Sequence, residues 1–255
     1  MRKPGGLSCV IGLCLTLIQA LVTTGLVEAQ TRPTIHHDLE ITLRPDTHEL
    51  IARDTLTIPS SLIHSHSISF HLNAHLALTS LAVEETPLLL STVKITPPST
   101  SSSGNGTPVS AGQRITVPLS PQSSSAESLK MTIAYQGQIN DPPQASRGLR
   151  FVRPDETAGH IGMEGIYLSS ETFWYSTLDG TLQTYDLALT LPDGWEAVTQ
   201  DKPSSQIPGD GTHTTTWRIQ TPSEALTVSA NRFTVEKRQW QGIEVATYLF
   251  PEEAA

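Results

Sequence analysis

The chain has 255 residues, with 25 acidic against 16 basic and a net charge of −9. An acidic chain with no basic cluster does not suit nucleic acid, whose binding rests on neutralising phosphates. The chain's length suits one large domain or two small ones.

Arg2 and Lys3 open the chain, and an apolar run from Leu7 to Val27 follows and ends in Val27-Glu28-Ala29. Small residues at positions −3 and −1 suit signal peptidase, so the pattern predicts a signal peptide over residues 1–29 and an exported protein. The run is also nearly long enough for a membrane anchor, but no basic stop-transfer flank follows it. Cleavage would leave no membrane span. Whether the product stays in the periplasm, on the envelope or outside the cell is open. Both cysteines, Cys9 and Cys14, lie in this leader, and neither sits in a lipoprotein acylation context. The rest then has no disulfide and no thiolate ligand, and relies on its core.

From residue 30 onward the chain reads as β. Leu39, Ile41 and Leu43 alternate with polar neighbours up to the turn residues Arg44-Pro45-Asp46-Thr47. Leu50, Ala52, Leu56 and Ile58 share one parity and stop at Pro59. The same period of two recurs at Ile68/Phe70/Leu72, Ile115/Val117/Leu119, Leu129/Met131/Ile133/Tyr135 and Tyr185/Leu187/Leu189/Leu191. Leu226/Val228/Ala230, Phe233/Val235 and the apolar stretch Val245 to Phe250 complete the series. Such alternation between Pro, Gly, Asp and Ser marks half-buried strands, and no stretch of ten residues shows a helical period. The fold class is therefore all-β, with largely antiparallel sheets packed as a sandwich or saddle. Residues 96–112 and 120–128 are low-complexity loops with little to bury, and the Ile115 strand between them reads as a sheet edge. Asn105-Gly106-Thr107 fits a glycosylation acceptor.

Histidine invites a metal reading. Four lie in the stretch His64, His66, His71 and His75, where a strand would put the first two on one face and the last two on the other. Zinc needs three or four converging ligands, and no acid lies within the stretch. His48-Glu49 begins an H-E-x-x-H pattern, but Ala52 stands where the second His belongs, and the segment starts a strand. No G-x-S-x-G elbow or phosphate loop is present. Glu84-Glu85 and Glu252-Glu253 are adjacent acids, which on extended chain point to opposite faces. The residues thus offer no catalytic constellation and no metal site.

The most aromatic segment, residues 165–178, holds Tyr167, Phe173, Trp174 and Tyr175 around Glu171. Its rings do not share one parity, so some belong to a core and the others to a surface. Two uses follow: an interface with a further domain, or a platform on a free-standing secreted β-sandwich that binds a protein or glycan.

The stretch "GIYLSSETFWYSTLDGTLQTYDLALTLPDGWEAVTQ", followed by "WRIQTPSEALTVSANRFTVEKRQWQGIEVATYLFPE", resembles the N-terminal β domain of the aminopeptidase N family of zinc metallopeptidases, the gluzincin aminopeptidases. "HHDLEITLRPDTHELIARDTLTIP" is similar to that domain's first hairpin, "ISFHLNAHLALTSLAVE" to its next strand pair and "MTIAYQGQIND" to the strand before the aromatic segment. The likeness covers most of residues 35–251. It implies a saddle-shaped β domain over residues 30–250, with residues 251–255 beginning a linker toward a catalytic domain. The family's zinc belongs to that second domain, and neither its H-E-x-x-H nor its G-x-M-E-N motif is in this chain. Gly162-Met163-Glu164-Gly165 echoes the latter but precedes the aromatic segment, and reads as a turn. The resemblance implies no catalysis by this chain alone, no cofactor of its own, and a catalytic domain as partner. Peptides would be its substrates only in that company. It also implies that Glu171 or Ser169, two registers of one anchor, touches the substrate's amino terminus. Tyr167, Phe173, Trp174 and Tyr175 become candidates for the interface between domains.

Overall fold

The computed structural model describes residues 32–63, 66–98, 112–120, 127–142, 157 and 159–250. The expected leader, His64, Asn105, most of both low-complexity loops and residues 251–255 with Glu252-Glu253 lie outside the described residues.

Among the described residues every regular element is a strand, apart from short 3-10 turns. The largest sheet begins with β1 (Thr34–Arg44) and β2 (Glu49–Pro59), an antiparallel pair whose register sets Leu39 against Asp54 and Leu43 against Leu50. Three shorter strands, β3 (Ser67–Asn73), β6 (Lys94–Thr96) and β7 (Gly112–Pro118), form their own sheet in the order β3-β7-β6. The Ile115 strand, expected at an edge, is therefore central. Its Ile115 and Val117 are fully buried, so it is paired on both sides and covered as well.

Strands β4 (Leu76–Val83), β5 (Thr86–Pro87) and β8 (Ser128–Gln138) extend the large sheet on one side. On the other side lie β11 (Leu182–Pro192), β13 (Ser205–Pro208) and β14 (Thr212–Ser223). Its order is β13-β14-β11-β1-β2-β8-β4-β5. All neighbours are antiparallel except β1 and β11, which run parallel from Thr34↔Leu182 to Thr42↔Thr190. Both edges are very short strands ending in proline, Pro87 and Pro208, which blunts them against pairing with other chains. Glu84 and Glu85, expected on extended chain, instead both have positive φ, 47° and 62°. They form the tight turn from β4 to β5, for which two positive-φ residues match the strand twist.

A third sheet, in the order β12-β15-β10-β9, combines β9 (Gly159–Gly162), β10 (Gly165–Leu168), β12 (Glu196–Val198) and β15 (Val228–Asn231). Finally β16 (Thr234–Trp240) and β17 (Ile243–Leu249) pair only with each other among the described residues. The inward parity of the large sheet (Leu39, Leu56, Met131, Leu187) joins Phe70, Ile115, Leu168 and Val228 of the smaller sheets in one core. This is the face-to-face packing that period-two alternation requires.

Candidate functional site

The aromatic segment is built from β10 outward. After Leu168 the chain turns through a 3-10 turn, Ser170–Thr172, and Phe173 takes a left-handed conformation (φ 53°, ψ 39°). That turn carries the chain back along β3. The His71 amide donates to Thr177 O at 2.8 Å and the Thr177 amide to His71 O at 3.1 Å. The Asn73 amide donates to Phe173 O at 2.7 Å, and Asn73 Nδ2 to Thr172 O at 2.7 Å. Two glycines make room for the turn. A Cβ on Gly112 would lie 2.8 Å from the Phe173 ring, and one on Gly159 would lie 2.3 Å from Thr172 Cγ2. Gly159→Ala is therefore expected to lower stability by about 1–3 kcal/mol, the usual effect of overpacking. Urea unfolding measures it, and an unchanged midpoint would show that the turn yields freely.

Trp174 and Tyr175 are both fully buried. Tyr167 is 42% exposed and Phe173 is half-buried against the His71 ring, 5.6 Å between centroids. The interface expectation for the four rings thus narrows to Tyr167 and Phe173, since Trp174 and Tyr175 serve this domain's own core. Glu171 is exposed on the 3-10 turn, and Ser169 precedes it as a half-buried residue whose carbonyl accepts from the Thr172 amide at 3.1 Å. The two substrate-contact candidates share one turn, two residues apart.

Beneath this segment lies a polar cluster that the sequence reading missed. Asp54, fully buried on β2, accepts from His37 Nδ1 (3.1 Å to each carboxylate oxygen) and from the Ser176 hydroxyl. The His37 ring stacks on Tyr185 at 5.2 Å and meets Tyr175 edge-on at 5.8 Å. The Tyr185 hydroxyl donates to Gln183 and lies 3.2 Å from the Tyr175 hydroxyl, which accepts from the Leu226 amide at 3.2 Å. Burial holds the Tyr135 and Tyr185 phenols well above their ordinary range and raises that of Tyr175 against two hydrogen bonds that lower it, and the nearby Asp54 charge pushes all three upward. His37 and Asp54 each sit at the apolar parity of an alternating strand, which was the available signal.

Serine, histidine and aspartate together invite a hydrolase reading, but the order is wrong. A nucleophilic serine needs the imidazole between it and the carboxylate. Here hydroxyl and imidazole both bond the carboxylate, and all three residues have no exposed surface. No substrate reaches them. The cluster pins the aromatic segment to the large sheet.

Other histidines are scattered. His66 is in a turn with φ 53°, not on the strand expected for it. His71 lies on β3, 3.3 Å from Asp179, and His75 is exposed beyond the strand end. His48 Nδ1 donates to Ile161 O at 2.5 Å. His160 Nε2 bonds Glu164 Oε1 at 2.7 Å, across the Met163-Glu164 turn that joins β9 to β10. The Glu164 carboxyl is held below its ordinary range by its own backbone amide and by His160. The motif echo at Gly162–Gly165 is a turn, as the sequence implies. Among the described residues no group of three His, Cys, Asp or Glu side chains is placed to hold a metal ion. Glu49 begins strand β2, so the partial zinc pattern at His48-Glu49 does not fit a zinc site either. An open trough of about 520 Å³ crosses the outer face of the large sheet, lined by Asp38, Glu40, Arg53 and Lys130 among others.

No family model matches the sequence, and no curated protein matches it either. Solved structures do match the fold. The M1 zinc metallopeptidase from Deinococcus radiodurans superposes with a TM-score of 0.54 at 18% identity, over 85% of this chain and 46% of that one. A two-domain M1 zinc metallopeptidase bound to L-tryptophan gives 0.53 at 17% identity over the same shares. Legionella pneumophila aminopeptidase A gives 0.57 at 13% identity, over 87% of this chain and 24% of that one. The chain thus spans less than half the length of each of these proteins. Its β structure is the fold of one part of the M1 zinc metallopeptidases, in agreement with the resemblance to their N-terminal β domain.

Proposed function

We propose that the chain is the non-catalytic N-terminal β domain of an exported aminopeptidase N-like zinc metallopeptidase. It supports hydrolysis from peptide N-termini only together with a catalytic domain outside this sequence, which carries the zinc. The observation behind this reading is coverage. Superposition takes in 85–87% of this chain but 46% or less of each relative, while the sequence holds no H-E-x-x-H pattern. The rival reading, a free-standing binder with an aromatic platform, is left with Tyr167 and Phe173 alone, since Trp174 and Tyr175 are buried.

The test begins with the DNA downstream of this coding sequence. A continuation encoding H-E-x-x-H, in frame or after a frameshift, is expected, and an unrelated gene there counts against the proposal. The joined product should release amino acids from aminoacyl anilides, whereas this chain alone with added zinc should not. In the joined product Glu171 or Ser169 supplies a contact to the substrate's amino group. Glu171→Ala or Ser169→Ala should then raise KM roughly 10–100-fold with little change in kcat, the loss of one hydrogen bond to a charged group. Unchanged KM in both variants would remove the contact from this domain.

A further inference from the structure

Three aspartates stand immediately before glycine: Asp179-Gly180, Asp193-Gly194 and Asp210-Gly211. The glycines have φ of 73°, 79° and 66°, so each pair sits in a turn that calls for glycine. All three aspartates are exposed. None of the three glycine amides donates a hydrogen bond among the described residues. With no side chain on the glycine, its nitrogen is open to the carboxyl group of the residue before it. Such a pair can close to a succinimide, the route from aspartate to isoaspartate.

The three carboxylates are held differently. Asp179 lies 3.1 Å from Arg114 Nη2 on β7 and 3.3 Å from His71 Nε2 on β3. Asp193 lies 4.0 Å from His213 Nδ1, and its amide is tied to Gly211 O at 3.2 Å. The Asp210 side chain has no partner among the described residues. A carboxylate engaged by cations must leave them before it can meet the next amide; that of Asp210 has nothing to leave. Asp210 also has glycine on both sides, in the loop Gly209-Asp210-Gly211 that joins β13 to β14. This loop is closed by the Gly209 amide, which donates to Thr212 O at 2.7 Å. Left-handed Gly211 at its last position is the usual form of a three-residue hairpin loop.

We propose that Asp210 is a modification site, converting to isoaspartate in the folded chain faster than Asp193 and Asp179. The Gly211 nitrogen attacks Asp210 Cγ: the N–Cγ bond forms, the Cγ–OH bond breaks, and the amide proton leaves with the hydroxyl as water. Water then reopens the ring, giving its hydroxyl to carbon and its proton to nitrogen. Breaking N–Cγ restores aspartate. Breaking the bond from the Asp210 carbonyl carbon to nitrogen leaves the chain running through Cβ and Cγ. Mass is unchanged overall, and no oxidant or reductant takes part. The product has one more backbone atom between Gly209 and Thr212, which displaces the hydrogen bond that closes the loop. That bond anchors β13, paired from Ser205↔Thr216 to Pro208↔His213. Conversion therefore loosens the short proline-ended strand that blunts this edge of the large sheet. The site does not depend on the reading under Proposed function.

Peptide mapping of the purified chain, aged at mildly acidic pH and physiological temperature, tests the proposal. An endoproteinase that cuts before aspartate but not before isoaspartate reads each position separately. The resistant fraction is expected to grow about two- to fivefold faster at 210 than at 179, the scale on which exposed ion pairs act. In urea, where the ion pairs are gone, the positions should converge. The aged chain should also exchange the Gly209 amide faster than the fresh one. Aged Asp210→Glu should not, because its longer side chain closes the ring far more slowly. Growth at 179 that matches or exceeds growth at 210 in the folded chain would overturn the proposal. So would the same ranking in urea, which would trace it to sequence alone, or unchanged exchange at Gly209 once 210 has converted.

Discussion

Asp54→Ala is expected to destabilise the fold by about 2–6 kcal/mol, about 1–3 kcal/mol for each of two buried groups left without an acceptor. The substitution leaves the His37 imidazole and the Ser176 hydroxyl without their acceptor in a core where neither has exposed surface. It also frees the aromatic segment from the large sheet, so loss of ring packing adds to the effect. The contrasting variant removes the whole cluster at once, with His37→Leu, Asp54→Leu and Ser176→Ala together. That protein should lie within about 1–2 kcal/mol of the parent, because a buried polar group replaced along with its partners leaves nothing unsatisfied. His37 Nε2 and Tyr135 Oη are already buried without a hydrogen-bond partner among the described residues, so the cluster is only partly satisfied as it stands. Urea denaturation of the two variants decides the matter. A single variant as stable as the parent would mean that water replaces the carboxylate, and that the cluster is not what secures the segment.

The same cluster makes the protein sensitive to alkali. Burial raises the phenols of Tyr135, Tyr175 and Tyr185, so the folded chain keeps their protons at a pH where the unfolded chain, near the ordinary value of 10, has lost them. The unfolded state then binds fewer protons, and stability falls as pH rises. The contribution is complete below about pH 10 and declines above it, by up to about 4 kcal/mol per pH unit if all three phenols stay protonated. Unfolding should therefore be steep in pH, with tyrosinate absorbance growing as the far-UV dichroism is lost. If these phenols ionised in a chain that kept its dichroism, the cluster would be open to solvent.

Most strands were legible in the sequence because burial here follows parity. In β1, β2, β8 and β11 the inward residues are those that the alternation picks out. The cluster was not legible as a cluster. Alternation places His37 and Asp54 on inner faces, but their meeting depends on the pairing of β1 with β2, and Ser176 reaches them from a segment without period. Sheet order was equally hidden. Two polar loops flank Gly112–Pro118 in the sequence, yet β3 and β6 flank it in space, because loop composition says nothing about which strands pair. The aromatic segment misled for a related reason. Its rings break parity because a 3-10 turn and a left-handed Phe173 rotate the chain, which brings Trp174 and Tyr175 inward where a strand would have exposed one of them.

The parallel ladder between β1 and β11, the only one among the described residues, has a consequence for synthesis. It joins residues far apart in the chain, such as His36 and Thr184 at a separation of 148, whereas β1 and β2 meet through a short turn. A ribosome adding roughly 5–20 residues per second takes roughly 7–30 s to cover that interval. Throughout it β1, destined for the middle of the sheet, is an uncapped edge bearing Ile35, Leu39 and Ile41 on one face. Closure of this long loop is the slow, high-contact-order step. The nascent first half of the chain is thus the stage most exposed to aggregation, and the stage at which a chaperone would have most to protect.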